Sequence, residues 1–134
     1  MDEMNISAYC EGAIRFVEQF GKTFTYSPQD AVSMEEILAV ISQDYQSGSL
    51  SGDKASRIAV SLGIYLGQLI LMNGAEKAGY KWAMHEGEPC LEKNAGWKIF
   101  PVTKVYKRIC GDVSDNVASF YKVSLLIAEG KFPK

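Results

Sequence analysis

Eighteen consecutive residues, 58–75, carry no charge, and that run constrains the fold more than anything else in the chain. Ile58, Leu62, Leu66 and Leu69 mark one helical stripe, while Val60, Ile64 and Leu71 make the other sides apolar as well. A helix that is apolar all round belongs either in a protein core or in a membrane. Ser61, Gly63, Gly67, Gln68, Asn73 and Gly74 interrupt the run, and Asp53, Lys54 and Arg57 stand just upstream in the same helical pattern. The reading is therefore a buried central helix, capped by Ser51, with Asp53 near its positive dipole end and a stop at Gly74. Gly63 and Gly67 lie four apart, and each costs about 1 kcal/mol relative to alanine inside a helix, so the pattern predicts close approach of another backbone on that stripe.

Such a helix needs partners, and the chain has enough material for them. Its 134 residues are 47% apolar with a net charge of −2, which excludes a disordered chain and suits a single domain spanning residues 1–134 with its own core. Cys10, Cys90 and Cys110 are odd in number, far apart and without a C-x-x-C pair, so they predict neither a disulfide framework nor a zinc knuckle. They read as buried thiols of a reducing compartment. The acidic start, Met1-Asp2-Glu3-Met4, lacks the basic and apolar regions of a signal peptide, and the expected location is cytoplasmic, with no membrane.

Around the central helix the periodicity changes twice. Ile6, Cys10, Ile14 and Val17 recur at helical spacing and predict a first helix ended by Gly21. Thr23-Phe24-Thr25-Tyr26 is β-branched or aromatic throughout, which adds a candidate strand near residues 22–26. Ser27-Pro28-Gln29-Asp30 opens a second helix bearing Met34, Ile37, Leu38, Ile41 and Tyr45. After the central helix, Tyr80 to His85, Cys90-Leu91 and Trp97 to Phe100, separated by turns at Glu86-Gly87-Glu88-Pro89 and Lys93-Asn94-Ala95-Gly96, predict a three-stranded meander. Pro101 starts a helix through Val102, Val105 and Ile109 to Gly111, and Ser114 is the expected cap of a last helix carrying Val117, Phe120, Tyr121 and Leu125. The predicted class is α+β: about five helices around a small antiparallel sheet, with residues 22–26 as the candidate fourth strand.

Charge is divided unevenly along this layout. Residues 1–67 hold 9 acids and 4 bases, whereas residues 68–134 hold 7 acids and 10 bases. No acid lies between Lys93 and Gly111, which span Lys98, Lys104, Lys107 and Arg108. The i, i+3, i+4 spacing of Lys104, Lys107 and Arg108 predicts one shared helix face opposite Val102, Val105 and Ile109, either a solvated face or a cationic surface for an acidic partner. Trp82 and Trp97, on neighbouring predicted strands, are expected to meet across the sheet, as core or as an exposed platform. His85 is the only histidine. Alternation places Glu86 on the other side of the strand from it, and no serine or cysteine elbow accompanies it, so no catalytic set and no metal site is assigned. Phosphate-loop and dinucleotide motifs are missing, because the glycines fall inside or at the end of a helix, and no cofactor is implied.

The ordered set Leu62-Gly63-x-x-Leu66-Gly67-Gln68, Gly79-Tyr80-Lys81-Trp82, and Phe100-Pro101-x-x-Lys104-Val105-x-Lys107-Arg108 with Gly111 and Phe120-Tyr121 resembles small uncharacterised bacterial α+β domains. The resemblance covers roughly residues 61–121 and implies an α+β bacterial domain with no assigned reaction. Members carry an acid directly after the second helix glycine, where this chain has Gln68, so no charged role transfers to that position. The functional expectation is a non-enzymatic protein-binding domain, accessory or immunity-like, that meets an acidic partner surface through Trp82, His85, Trp97, Lys98, Lys104, Lys107 and Arg108. Two alternatives stand beside it: nucleic-acid binding by the same face, and a small-molecule pocket or weak enzyme near His85 and Trp82.

Overall fold

A computed structural model describes residues 5–94 and 97–131. Five α-helices and one three-stranded antiparallel sheet are found among them, an α+β fold: α1 (Ile6–Val17), α2 (Gln29–Gln46), α3 (Gly52–Ile70), β1 (Lys81–His85), β2 (Glu88–Lys93), β3 (Trp97–Ile99), α4 (Pro101–Ile109) and α5 (Val117–Ala128). The helix α3 is the central rod. Leu62, Ile64, Tyr65, Leu66, Leu69 and Ile70 are all fully buried in one core that α1, α2, α4 and the sheet also enter. By length and composition Gly52–Ala75 is apolar enough to cross a membrane, but 61% of its most apolar window is covered by the rest of the chain.

Most helix ends lie where local chemistry puts them. The Ser51 side chain accepts from Lys54 N at 3.2 Å and caps α3. Gly21 and Gly111 take positive φ just beyond helical turns, and Pro101 occupies the first turn of α4, where its missing N–H has no partner to lose. After Ile70 the helix widens into a π-turn, Leu71–Ala75, that Gly74 breaks at φ 155°. The two internal glycines answer the predicted close approach. A Cβ on Gly63 would stand 2.5 Å from the Val102 Cα, and one on Gly67 would collide with the Trp82 ring and Pro101. Helix α4 and the indole therefore lie directly on the glycine stripe of α3.

Four expectations are corrected by the structure. Residues 22–26 form no strand: Phe24 is buried, but the backbone N–H groups of Thr25 and Tyr26 donate to side chains, the Asp30 carboxylate at 3.0 Å and the Tyr65 hydroxyl at 2.8 Å. Tyr65 in turn donates to Asp30 at 2.5 Å, so a buried carboxylate and phenol replace the sheet ladder there. The last helix is capped by Asn116, which accepts from Ser119 N, while Ser114 lies in the short turn Val113–Asp115. Cys110 is exposed, because it caps α4 at the surface, whereas Cys10 and Cys90 are buried. Finally, the tryptophans do not share neighbouring strands. The sheet order is β1-β2-β3, with Trp82 opposite Leu91 and Lys93 opposite Trp97, so the longer β2 separates them. The second predicted turn falls partly on residues 95–96, and Met1 to Met4 also lie outside the described residues.

Candidate functional site

Antiparallel partners point to one side of a sheet and successive residues to opposite sides, so the register sorts the candidate residues. Trp82, Leu91, Ile99 and Trp97 share one face. His85, Glu88, Cys90, Glu92 and Lys98 share the other. Trp82 is half-buried against Gly67 and Pro101, and its indole N–H donates to the Gln68 Oε1 at 3.0 Å. Trp97 stands on the rim with 65% of its surface exposed. The expected pairing of His85 with Trp82 in one pocket is therefore corrected, since the two side chains lie on opposite faces of β1.

On the His85 face, the end of the β1–β2 hairpin, the start of α4 and the flank of α5 enclose a groove of about 490 Å³. Glu86 and Gly87 form the two-residue hairpin with φ of 52° and 82°, the left-handed pair that matches strand twist. The positive φ releases Glu86 from strand alternation, and its carboxylate comes within 3.6 Å of His85 Nε2. Phe100, whose ring centroid is 6.0 Å from that of His85, and Phe120 supply apolar walls, with Val123 and Ile127 continuing along α5. Lys98, Lys104 and Lys107 line the same groove.

The cations are not equally available. Lys104 pairs with Asp115 at 2.5 Å, and its ammonium also stands 5.2 Å from the Phe120 ring centroid. Lys98 is 3.8 Å from Glu92. Arg108 does not belong to the free face at all. Its side chain is 8% exposed and its Nε donates to Glu35 Oε2 at 2.7 Å, while Glu35 Oε1 accepts from Val117 N at 3.0 Å. The correction is geometric. At 3.6 residues per turn Arg108 lies about 40° from Lys104 on the side towards Val105, whereas Lys107 lies about 60° away on the opposite side. One carboxylate of α2 thus holds α4 and the first turn of α5 together. Lys107 alone of the trio is exposed and enters no ion pair among the described residues.

Glu88, opposite His85 on β2, has a matching peculiarity of the other sign: its Oε2 is shut off from solvent and has no hydrogen-bond partner among the described residues. The sequence offers Glu88 beside Glu86 as an acid near His85, but it does not show that Phe100 and Phe120 wall one groove with them. Cys90 lies between Glu88 and Glu92 on the strand. Burial, with Glu92 second, pushes its thiol up and keeps it protonated, which does not suit a nucleophile for His85. No group of three or more histidine, cysteine, aspartate or glutamate side chains gathers to hold a metal among the described residues.

Compared with protein-family models, with curated proteins and with solved structures, the chain matches none.

Proposed function

We propose that this chain is a non-enzymatic binding domain, accessory or immunity-like, whose groove between the hairpin, α4 and α5 receives a segment of a partner protein that sets an acidic side chain against Lys107. The observation that carries the reading is a groove of about 490 Å³ with aromatic walls and, on its rim, Lys107, which enters no ion pair among the described residues. Buried apolar anchors framed by polar residues supply most of the affinity at protein interfaces, and rim charge supplies orientation and rate. Trp82, Trp97 and Arg108, named from sequence, fall outside the groove: the first packs on Gly67 of α3, the second remains a separate exposed aromatic, and the third belongs to the fold's internal pairing. Nucleic-acid binding draws less support, since Lys98, Lys104 and Arg108 each already face a carboxylate. A small-molecule ligand is the second reading, favoured by a volume within the roughly 300–1,000 Å³ typical of such sites.

The test is photo-crosslinking from inside the groove. A photoreactive residue at Val123 should yield a protein adduct whose crosslinked segment carries an acidic residue, and Lys107→Glu should diminish it. The same residue at Arg57, on the exposed side of α3, should not yield that adduct. Equal adducts at both positions, or a Val123 adduct indifferent to Lys107→Glu, would reject the docking role.

A further inference from the structure

We propose that the occupant of the groove is ampholytic: an extended segment that presents a basic side chain to Glu88 and an acidic one to Lys107, with apolar residues between. This rests on the reading of the groove as a docking site and adds the chemistry it selects.

The inference starts from Glu88 and Lys107, the two charged groove-lining side chains without an ion pair among the described residues. A carboxylate oxygen removed from water without a donor costs on the order of 1–3 kcal/mol or more, and Glu88, which lines the groove, has one in its Oε2. Nearby cations do not relieve it. His85 leans to Glu86, Lys98 to Glu92 and Lys104 to Asp115. Nor does Lys107, which lies seven residues beyond Phe100 along α4, a rise of about 10 Å from the groove wall next to His85. An ammonium or guanidinium brought in along the groove that Glu88 lines would give its carboxylate a partner.

The same charges exclude the alternatives. A wholly acidic segment would set a carboxylate against Glu86 and Glu88, and a wholly basic one would meet Lys98, Lys104 and Lys107. A chain of opposite charges at the two ends satisfies both, and at about 3.3 Å per extended residue the two charged side chains fall about three residues apart. Phe100, Phe120 and Val123 then face the intervening apolar residues.

The full chain can be titrated with N-acetylated, C-amidated peptides while its backbone amide spectrum is recorded. The probes are Lys-Leu-Leu-Glu and its reverse Glu-Leu-Leu-Lys, because chain direction is open, with Glu-Leu-Leu-Glu and Gln-Leu-Leu-Gln as controls. One ampholytic peptide should shift amides of residues 85–88, 98–107 and 120–127 and bind about fivefold tighter than Glu-Leu-Leu-Glu, the size of one half-exposed ion pair. Glu88→Gln should erase that preference without lowering the melting temperature, since it removes a charge with no partner among the described residues, and Lys107→Gln should weaken the preferred ampholyte and Glu-Leu-Leu-Glu alike. Tighter binding of Glu-Leu-Leu-Glu, a preference that survives Glu88→Gln, or no groove shifts from either ampholyte at millimolar concentration would overturn the inference. Groove binding of Glu-Leu-Leu-Glu without an ampholyte preference would overturn it and leave the docking role standing, whereas the Val123 crosslink tests that role separately.

Discussion

Alanine at Gly63 and alanine at Gly12 are the same chemical change in two helices, and the structure predicts opposite signs for them. The new methyl on Gly63 would stand 2.5 Å from the Val102 Cα, 2.8 Å from its Cγ2 and 3.0 Å from its backbone nitrogen. Carbon atoms prefer about 3.5–4.0 Å, so α3 and α4 would have to separate by roughly 1 Å along their tightest crossing. Because the obstacle is backbone rather than the end of a flexible side chain, the strain belongs at the upper end of the overpacking range, about 3 kcal/mol. Replacing a mid-helix glycine returns about 1 kcal/mol, for a net loss of about 2 kcal/mol. Gly12, inside α1, has nothing nearer than the Ser61 Oγ at 3.7 Å, so Gly12→Ala keeps the whole gain of about 1 kcal/mol. In urea, with a slope of about 1.5 kcal/mol per molar, the two midpoints should differ by about 2 M on either side of the parent. A Gly63→Ala midpoint at or above the parent would refute the close-approach reasoning, as would a Gly12→Ala midpoint that falls alongside it.

Three further outcomes follow from the buried polar groups. Glu35→Ala strands the Arg108 guanidinium and uncaps Val117 N at once, and should cost about 3 kcal/mol in the same urea assay, whereas a loss below about 1 kcal/mol would show the pair to be solvent-screened. Burial, seconded by Cys10, pushes the Tyr26 phenol from its ordinary 10.0 up to about 12, and the fold therefore favours the protonated form. Stability should hold below about pH 10 and fall between about pH 10 and 12, read by circular dichroism alongside phenolate absorbance, and a tyrosine titration essentially complete by about pH 11 with the fold intact would contradict it. Of the three thiols only Cys110 is exposed, so a disulfide reagent should titrate one thiol per native chain and all three after unfolding; two fast native thiols would be inconsistent with the packing.

How far the sequence reveals this fold depends on the range of the interaction that decides each element. Ser51, Gly21, Pro101 and Gly74 act within a turn or two of themselves, so their helix ends are legible, and the glycine stripe of α3 announces its crossing because glycine inside a helix demands compensation. The segment 22–26 misleads because its composition suits a strand while its N–H groups are satisfied by Tyr65, 39 residues downstream of Tyr26, and by Asp30. Arg108 misleads for the same reason. A spacing rule places it near Lys104, but its fate is set by Glu35, 73 residues away on α2. The groove itself is the least legible feature, since its walls come from the hairpin, α4 and α5, and its unpaired charges are recognised only once every neighbouring pair is known.

The docking role is tested most directly by exchanging charge between Lys107 and the partner carboxylate located by the Val123 crosslink, then measuring binding for the two single variants and the double. Lys107→Glu alone should weaken the complex, and the opposing acid-to-lysine change should restore most of the loss, a coupling of about 1 kcal/mol or more. Strictly additive losses, with no recovery in the double variant, would contradict a groove that reads acidic partners through Lys107.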